Sequence, residues 1–541
     1  MSVRTQGGGS SSAPEHQTHY ARWLEEEEKL ADRYQKRPDM SWLDHLIMLL
    51  TIGAAVEHCL MVQYLYAAYS LHTEGQSERR SRLIENWRSN ILAVCKEEMG
   101  HLLTVQNVLL LVRAPPFLGR ENTIWAEKYY PYPFSLDPFS CETLSNFVYA
   151  EMPDLDSKLP KSLTEEEEDL LRQIKKDIRN RYGSEKFPLD VHRVGKLYEE
   201  IIELISDQQR IPDSAFDEST FEFQASWDAW GRGYRPDPYP LDAEGNRIDD
   251  EASEAAGVQS PHGWRRSKSE LVPRPISEAF VRVDRAATRT AAVNALVAIA
   301  SQGEAPHLQD RANLKQYGEP SHFERFFGIY RQFMDEVKRE PDWNPAKHVC
   351  ANPTTQRPPR KAGDPPLREN STPVTAPVSK RLAQLFNQRY RLLLNYLAHN
   401  FHIAGLERAD RPNLRAMLMH RVFGEMYNLK TLAGLLVRTP RLGPNDPPDA
   451  KPKNAGPPFE MPYSLNIPDD NIDIWRAHND LIKMSLERCK RLLRSASGNE
   501  DASSKIKEEL DRLGAEPYLR TLVDLDEQTS KWIAAIIAGA A

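Results

Sequence analysis

Glu98 and His101 stand three residues apart within the apolar run Cys95-Lys96-Glu97-Glu98-Met99-Gly100-His101-Leu102-Leu103. Helical periodicity of about 100° per residue groups Ile91, Val94, Glu98, His101, Leu102, Val105 and Leu109 on one face, with Glu98 at its middle and His101 at its flank. A charge buried there without a partner is very costly, so the pattern demands something to pair with it. An inward Glu-x-x-His is half of a known arrangement, the carboxylate-bridged dimetal site of helical bundles. That arrangement needs a second such pair and one Glu from each of two further helices.

The rest of the chain offers those pieces. Glu57 sits at the centre of an apolar stripe formed by Leu46, Leu50, Gly53, Leu60, Met61, Tyr64 and Ala68. A turn near Ser77 lies about 20 residues after Glu57 and about 21 before Glu98, so an antiparallel hairpin sets the two carboxylates level. Glu319-Pro320-Ser321-His322 is a second Glu-x-x-His, with His322, Phe326, Ile329 and Phe333 on one face. Pro320 is acceptable at a first helical position, which puts Glu319 at the cap. A helix expected over 276–300 would, if it extends to Glu304, turn that side chain toward the same side as Val293, Leu296, Val297 and Ala300. Glu151 ends a short helix whose face is Leu144, Phe147 and Val148; inward and outward orientations are equally compatible with its position. Glu199, Glu200 and Glu203 point away from an apolar face and are expected in solvent. His399 and Glu425 are expected as hydrogen-bonded core groups.

A lone inward Glu-x-x-His is more commonly a satisfied core histidine. Two of them with two further inward glutamates form a constellation suited to a pair of divalent ions. Hard oxygen donors with intermediate imidazoles, and no thiolate to favour zinc, suit two ions of iron or manganese, and iron is the cofactor expected.

Seventy basic against 78 acidic residues give the 541-residue chain a net charge of −8, without the basic block that tracks phosphates, so nucleic acid is not an expected partner. The five cysteines are scattered and form no Cys-x-x-Cys, which argues against a structural zinc site or a disulfide framework and for a reducing compartment, the cytoplasm. The longest apolar runs, near 47–55 and 533–541, are shorter than a bilayer span.

The expected fold is all-α. Residues 1–40 read as a flexible tail and a charged helix, 41–340 as the dimetal bundle, 341–378 as a proline-rich linker or surface strap, and 379–541 as an additional helical region. Within the bundle, an irregular insertion at about 207–275 carries Trp227, Trp230, Tyr234 and Tyr239, aromatic area suited to a lid over a small-molecule pocket.

The stretches Ala54 to Ala67, Glu97-Glu98-Met99-Gly100-His101, Ala150-Glu151-Met152-Pro153, Gln302-Gly303-Glu304 and Ser321 to Phe326 resemble the ferritin-like domain family that includes the C-terminal part of iminophenylpyruvate dimer synthase of violacein biosynthesis. The resemblance covers about residues 40–340 and continues more weakly to about 490. It implies a ferritin-like four-helix bundle, a setting in natural-product oxidative biosynthesis, and Glu57, Glu98, His101, Glu151, Glu304 and His322 at recurrent polar positions. The large N-terminal region of the dimer synthases is not expected in this chain, so their coupling reaction is not carried over as an expectation. The expected activity is that of a dimetal oxidase or oxygenase using O2 on a small, amino-acid-derived substrate; the alternative is a non-oxidative metal-binding or scaffold protein. Iron storage fits the large C-terminal region poorly. The oligomeric state is open, a homodimer among the options.

Overall fold

A computed structural model describes the protein from Lys36 to Gly539, apart from residues 37–38, 121–131, 154–162, 183–193, 226–280, 282, 304–319, 358–366, 368–369, 404–413, 445, 448–452, 462–464, 466 and 499–500. The first helix, α1 (Trp42–Ser70), starts at a reciprocal cap: Ser41 accepts from the Asp44 amide while the Asp44 carboxylate accepts from Ser41. It runs antiparallel to α2 (Glu78–Leu111), itself capped by Ser77, and the pair forms the most extensive helix packing in the molecule. By length and composition α1 is apolar enough to cross a membrane, unlike the shorter runs considered in the sequence. Yet 72% of its most apolar window is buried within the protein, and the helix buries Glu57, His58 and Gln63. It is a core helix.

Around this hairpin lie α3 (Cys141–Ala150), α4 (Glu165–Tyr182), α5 (Val194–Ser206), α6 (Arg289–Gln302) and α7 (His322–Arg339). Helix α3 packs on α7, α6 packs on α5 and α2, and α5 also packs on α1. Beyond them come α8 (Pro377–Asn400), α9 (Leu414–Leu436), α10 (Asn471–Ser495), α11 (Asp501–Leu513) and α12 (Ala515–Ile537). The strands among the described residues are two-residue pieces, Pro353–Thr354 and Thr372–Pro373, paired in parallel. The all-α expectation holds.

Three expectations are corrected. Helix α6 begins at Arg289, not near 276, because residues 283–286 spend their backbone groups elsewhere. Asn107 donates to the Asp284 carbonyl, Thr104 accepts from the Asp284 amide, and Gln224 bonds both the amide and the carbonyl of Ala286. Thr288 then caps the helix. Helix α7 begins at His322 with Ser321 as its cap, reciprocated by Glu324, so neither Glu319 nor Pro320 occupies the cap. Helix α11 is an element that the apolar pattern did not announce, since Ile506, Leu510 and Leu513 are its main inward residues; Gly514, at φ 62°, makes the break before α12.

Part of the proline-rich stretch after α7 is pinned to α1. Trp343, Ala346, Val349 and Cys350 are buried, and Tyr66 of α1 donates its hydroxyl to the Cys350 carbonyl. The same hydroxyl lies so close to Gly456 that a Cβ there would collide with it. Further along, Tyr390 of α8 meets His58 of α1 at 2.5 Å, and Arg120 reaches the Tyr390 hydroxyl at 3.4 Å. His399 and Glu425 are buried polar groups as expected. His399 bonds His478 at 3.0 Å and Asn471 at 2.5 Å, while Glu425 takes Arg389 through both oxygens at 2.5 and 2.6 Å. The aromatic residues assigned to a lid, from Trp227 to Tyr239, lie outside the described residues. So do Glu304, Glu319 and the charged helix expected before Tyr34.

Candidate metal centre

Five of the seven residues singled out from the sequence converge in the bundle interior. Glu57 from α1, Glu98 and His101 from α2, Glu151 at the C-terminal cap of α3 and His322 at the first position of α7 are all at most 1% exposed. Helix α6 ends at Gln302 with Gly303 as its cap, and the other two residues, Glu304 and Glu319, lie outside the described residues. Glu199 lies outside the cluster and, with Glu200, is engaged by Lys196, at 3.7 and 3.1 Å.

The cluster divides into two triads that share one residue. Glu57, Glu98 and His101 bring one donor atom each to within 4.8 Å of one another, and Glu98, Glu151 and His322 do the same. His101 Nδ1 stands 3.7 Å from Glu57 Oε2 and 3.4 Å from Glu98 Oε2. His322 Nδ1 stands 2.8 Å from Glu98 Oε1 and 3.6 Å from Glu151 Oε2. Each oxygen of Glu98 therefore faces a different imidazole, and the two imidazole rings stack with centroids 5.4 Å apart.

The remaining donor atoms of these side chains are tied back. Tyr198 of α5 donates to Glu57 Oε1, and Tyr64 of α1 donates to Glu151 Oε1. His101 Nε2 meets Gln302 Oε1 at 3.1 Å; His322 Nε2 meets Glu97 Oε2 at 2.9 Å, and Arg325 holds Glu97 at 3.0 and 3.1 Å. What is left inward is Glu57 Oε2, both oxygens of Glu98, Glu151 Oε2 and His322 Nδ1, all buried and without a hydrogen-bond partner beyond their contacts with one another and with His101. Buried polar atoms are rarely orphaned, and five aimed at one small volume fit a pair of cations. Carboxylate and imidazole donors, with no thiolate among them, suit iron or manganese.

Protons offset part of the charge that these carboxylates and imidazoles bring together. Burial, reinforced by Glu98, raises the Glu57 carboxyl to about 8, and burial with the Glu98 charge also raises Glu151. Burial pushes Glu98 the same way, but His322 and the hydrogen bonds around it prevail and hold it well below the usual carboxylate range. Burial disfavours the imidazolium of His101, yet its bonds to Glu57 and Glu98 raise it to about 10; His322 is raised likewise, against burial, chiefly by Glu98.

Several residues of this site escaped sequence reasoning. Glu97 belongs to the motif but falls about 100° from Glu98 on the wheel, and its partner His322 lies 225 residues away. Tyr64 shares the apolar stripe of Glu57, where a hydroxyl gives no period signal, and Tyr198 lies 141 residues from the Glu57 it bonds, beyond the reach of local pattern.

The ferritin-like family matches residues 50–230, the stretch that contains Glu57, Glu98, His101 and Glu151. Dichlorochromopyrrolate synthase of Lentzea aerocolonigenes is 26% identical over 452 residues, 77% of this chain and 36% of that protein. The 2-imino-3-(indol-3-yl)propanoate dimerase of Chromobacterium violaceum is 31% identical over 18% of this chain and 12% of its own length. The chain thus matches about a third or less of the length of these relatives. No solved structure matches it. Within residues 50–230 the chain is similar to the ferritin-like family, and its helical architecture accords with that likeness.

Proposed function

We propose that this protein is a non-haem dimetal enzyme, an iron-dependent oxidase or oxygenase that uses O2 on a small, amino-acid-derived substrate in natural-product biosynthesis. The observation that carries the proposal is Glu98, whose two oxygens each face the donors of a separate triad. A carboxylate so placed would be shared between the two ions of a metal pair. Glu57 and His101 would complete one ion's protein donors, Glu151 and His322 the other's. When bound, a reduced iron pair supplies the electrons that O2 activation requires.

The chain's own residues do the positioning. Tyr198 and Tyr64 occupy Oε1 of Glu57 and Glu151, leaving Oε2 of each for the metal. Gln302 and Glu97 accept from Nε2 of His101 and His322, which fixes the tautomer that offers Nδ1 inward. Phe147 and Phe326 pack on Tyr64 with ring centroids 4.6 and 4.7 Å away and keep water from the Glu151 side. The substrate class rests on the relatives, one named for an imino acid bearing an indole and the other for a chromopyrrolate, and the cytoplasmic location rests on the scattered cysteines.

Metal analysis of protein purified without chelator tests the proposal. About two irons per chain are expected, one for each triad. A chain that takes up neither iron nor manganese after anaerobic reconstitution is a scaffold that keeps the bundle without its chemistry.

A further inference from the structure

The two triads are built alike. Each joins Glu98 to one glutamate and one histidine of its own. Each of those glutamates has its Oε1 tied to a tyrosine, and each histidine turns Nδ1 inward and Nε2 to a partner behind it. Among the described residues the two sets differ in kind at that last partner. Behind His101 it is Gln302 at the end of α6, whose side-chain carbonyl meets Nε2 at 3.1 Å. Behind His322 it is Glu97, whose Oε2 meets Nε2 at 2.9 Å. One ring is backed by a neutral amide and the other by a carboxylate.

A carboxylate in that place is costly. Glu97 is fully buried and is accompanied by Arg325, itself 5% exposed, whose Nη1 reaches both of its oxygens at 3.0 and 3.1 Å. Taking such a pair out of water is expensive, and replacing one by apolar side chains is often no loss to stability, so stability alone does not account for this pair behind a histidine of the site. What it supplies is a charge-assisted hydrogen bond, roughly twice as strong as a neutral one. The atom in contact with the ring is the carboxylate oxygen, which draws the Nε2 proton toward itself and leaves more electron density on Nδ1 for a cation. Gln302, half-buried and uncharged, does this more weakly for His101.

We infer that the two metal positions are unequal and fill in order, the one at Glu98, Glu151 and His322 before the one at Glu57, Glu98 and His101, and that the partner behind each imidazole sets the order. The inference rests on the dimetal reading and adds to it a ranking of the two positions. Glu97 and Gln302 are positioning residues here: neither belongs to a triad, and each acts through the ring it backs.

Manganese(II) alone is the probe, since it suits the same oxygen and imidazole donors, titrated anaerobically into the metal-free full-length chain. The wild type is expected to bind it in two steps whose dissociation constants differ by about 10–100-fold, the range a backing partner commands. In crystals given one equivalent, anomalous scattering is expected to place the manganese at His322 and not at His101. Gln302→Glu is expected to tighten the weaker step by about tenfold or more and to leave the tighter step as it was, whereas a change that only loosened the end of α6 would weaken binding. Two steps of equal affinity, a first equivalent seated at His101, or a folded Gln302→Glu with its weaker step unchanged overturns this inference alone. A wild type that takes up neither manganese nor iron overturns the dimetal reading and the inference with it. Should Gln302→Glu not fold, the position of the first equivalent in the wild type decides.

Discussion

His322 and Glu97 meet at 2.9 Å, each fully buried, with His322 on the first turn of α7 and Glu97 one residue before the central Glu98 of α2. The contact orients the His322 ring so that Nδ1 faces Glu98 and Glu151, and Arg325 in turn fixes Glu97. Partners of this kind raise ligand basicity as well as fixing geometry. Glu97→Gln should weaken metal binding at the His322 triad by about 10–100-fold while leaving helix content unchanged. Competition titrations against a metal chelator measure this directly, and unaltered affinity would count against a supporting role for Glu97.

Sharing of Glu98 predicts unequal losses. Glu98→Ala withdraws a donor from both triads and should abolish loading of both ions, whereas His101→Ala removes a donor only from the Glu57 side and should leave about one iron per chain. Circular dichroism should find both variants helical. Two irons retained by Glu98→Ala would show that another group bridges the pair.

A stability prediction concerns Glu336 on α7, whose buried carboxylate is held by Arg79, Arg80 and Arg339 at 2.5, 3.1 and 2.5 Å. The Arg79 hydrogen bond, helped by Arg80, lowers it from 4.5 to about 2. The folded value lies below the unfolded one, so its contribution is present above about pH 4.5 and fades as pH falls toward 2. Glu336→Gln should cost about 1–2 kcal/mol at neutral pH, since two of the arginines are largely exposed. Urea titrations of both proteins should converge between pH 4.5 and 2; a gap that stays constant across that range would refute the assignment.

Tyr390→Phe removes the hydroxyl that joins His58 of α1 to α8 and leaves a buried imidazole nitrogen unpaired. The expected cost is about 1–3 kcal/mol. A lowered urea midpoint with native metal content is the outcome that checks it; an unchanged midpoint would mean that water or Arg120 replaces the bond.

The sequence revealed the site where a period could be read. A glutamate centred in an apolar stripe, as at Glu57 and Glu98, has few places to go except inward, and the hairpin length set the two level. In the second Glu-x-x-His, Ser321 takes the cap, so His322 stands on the first turn of α7, and Glu319 lies outside the described residues. Glu151 could not be decided from its position at a helix end, because orientation there depends on the hydrogen bond that Tyr64 donates to it. The start of α6 was misread for a similar reason. Side chains of Asn107, Thr104 and Gln224, distant in sequence, claim the backbone of residues 283–286. Local pattern reports local preference, and long-range side-chain bonds overrule it at the ends of elements.

The joint between Tyr66, Cys350 and Gly456 bears on how such a protein can diversify. Helix α1 presents Glu57 on one side and is gripped through Tyr66 and His58 by the part of the chain after residue 340. That later part is therefore a poor unit of exchange. A region inherited from a relative would have to bring a hydroxyl where Tyr390 stands and bare backbone where Gly456 stands, or the helix that carries Glu57 would lose its seat.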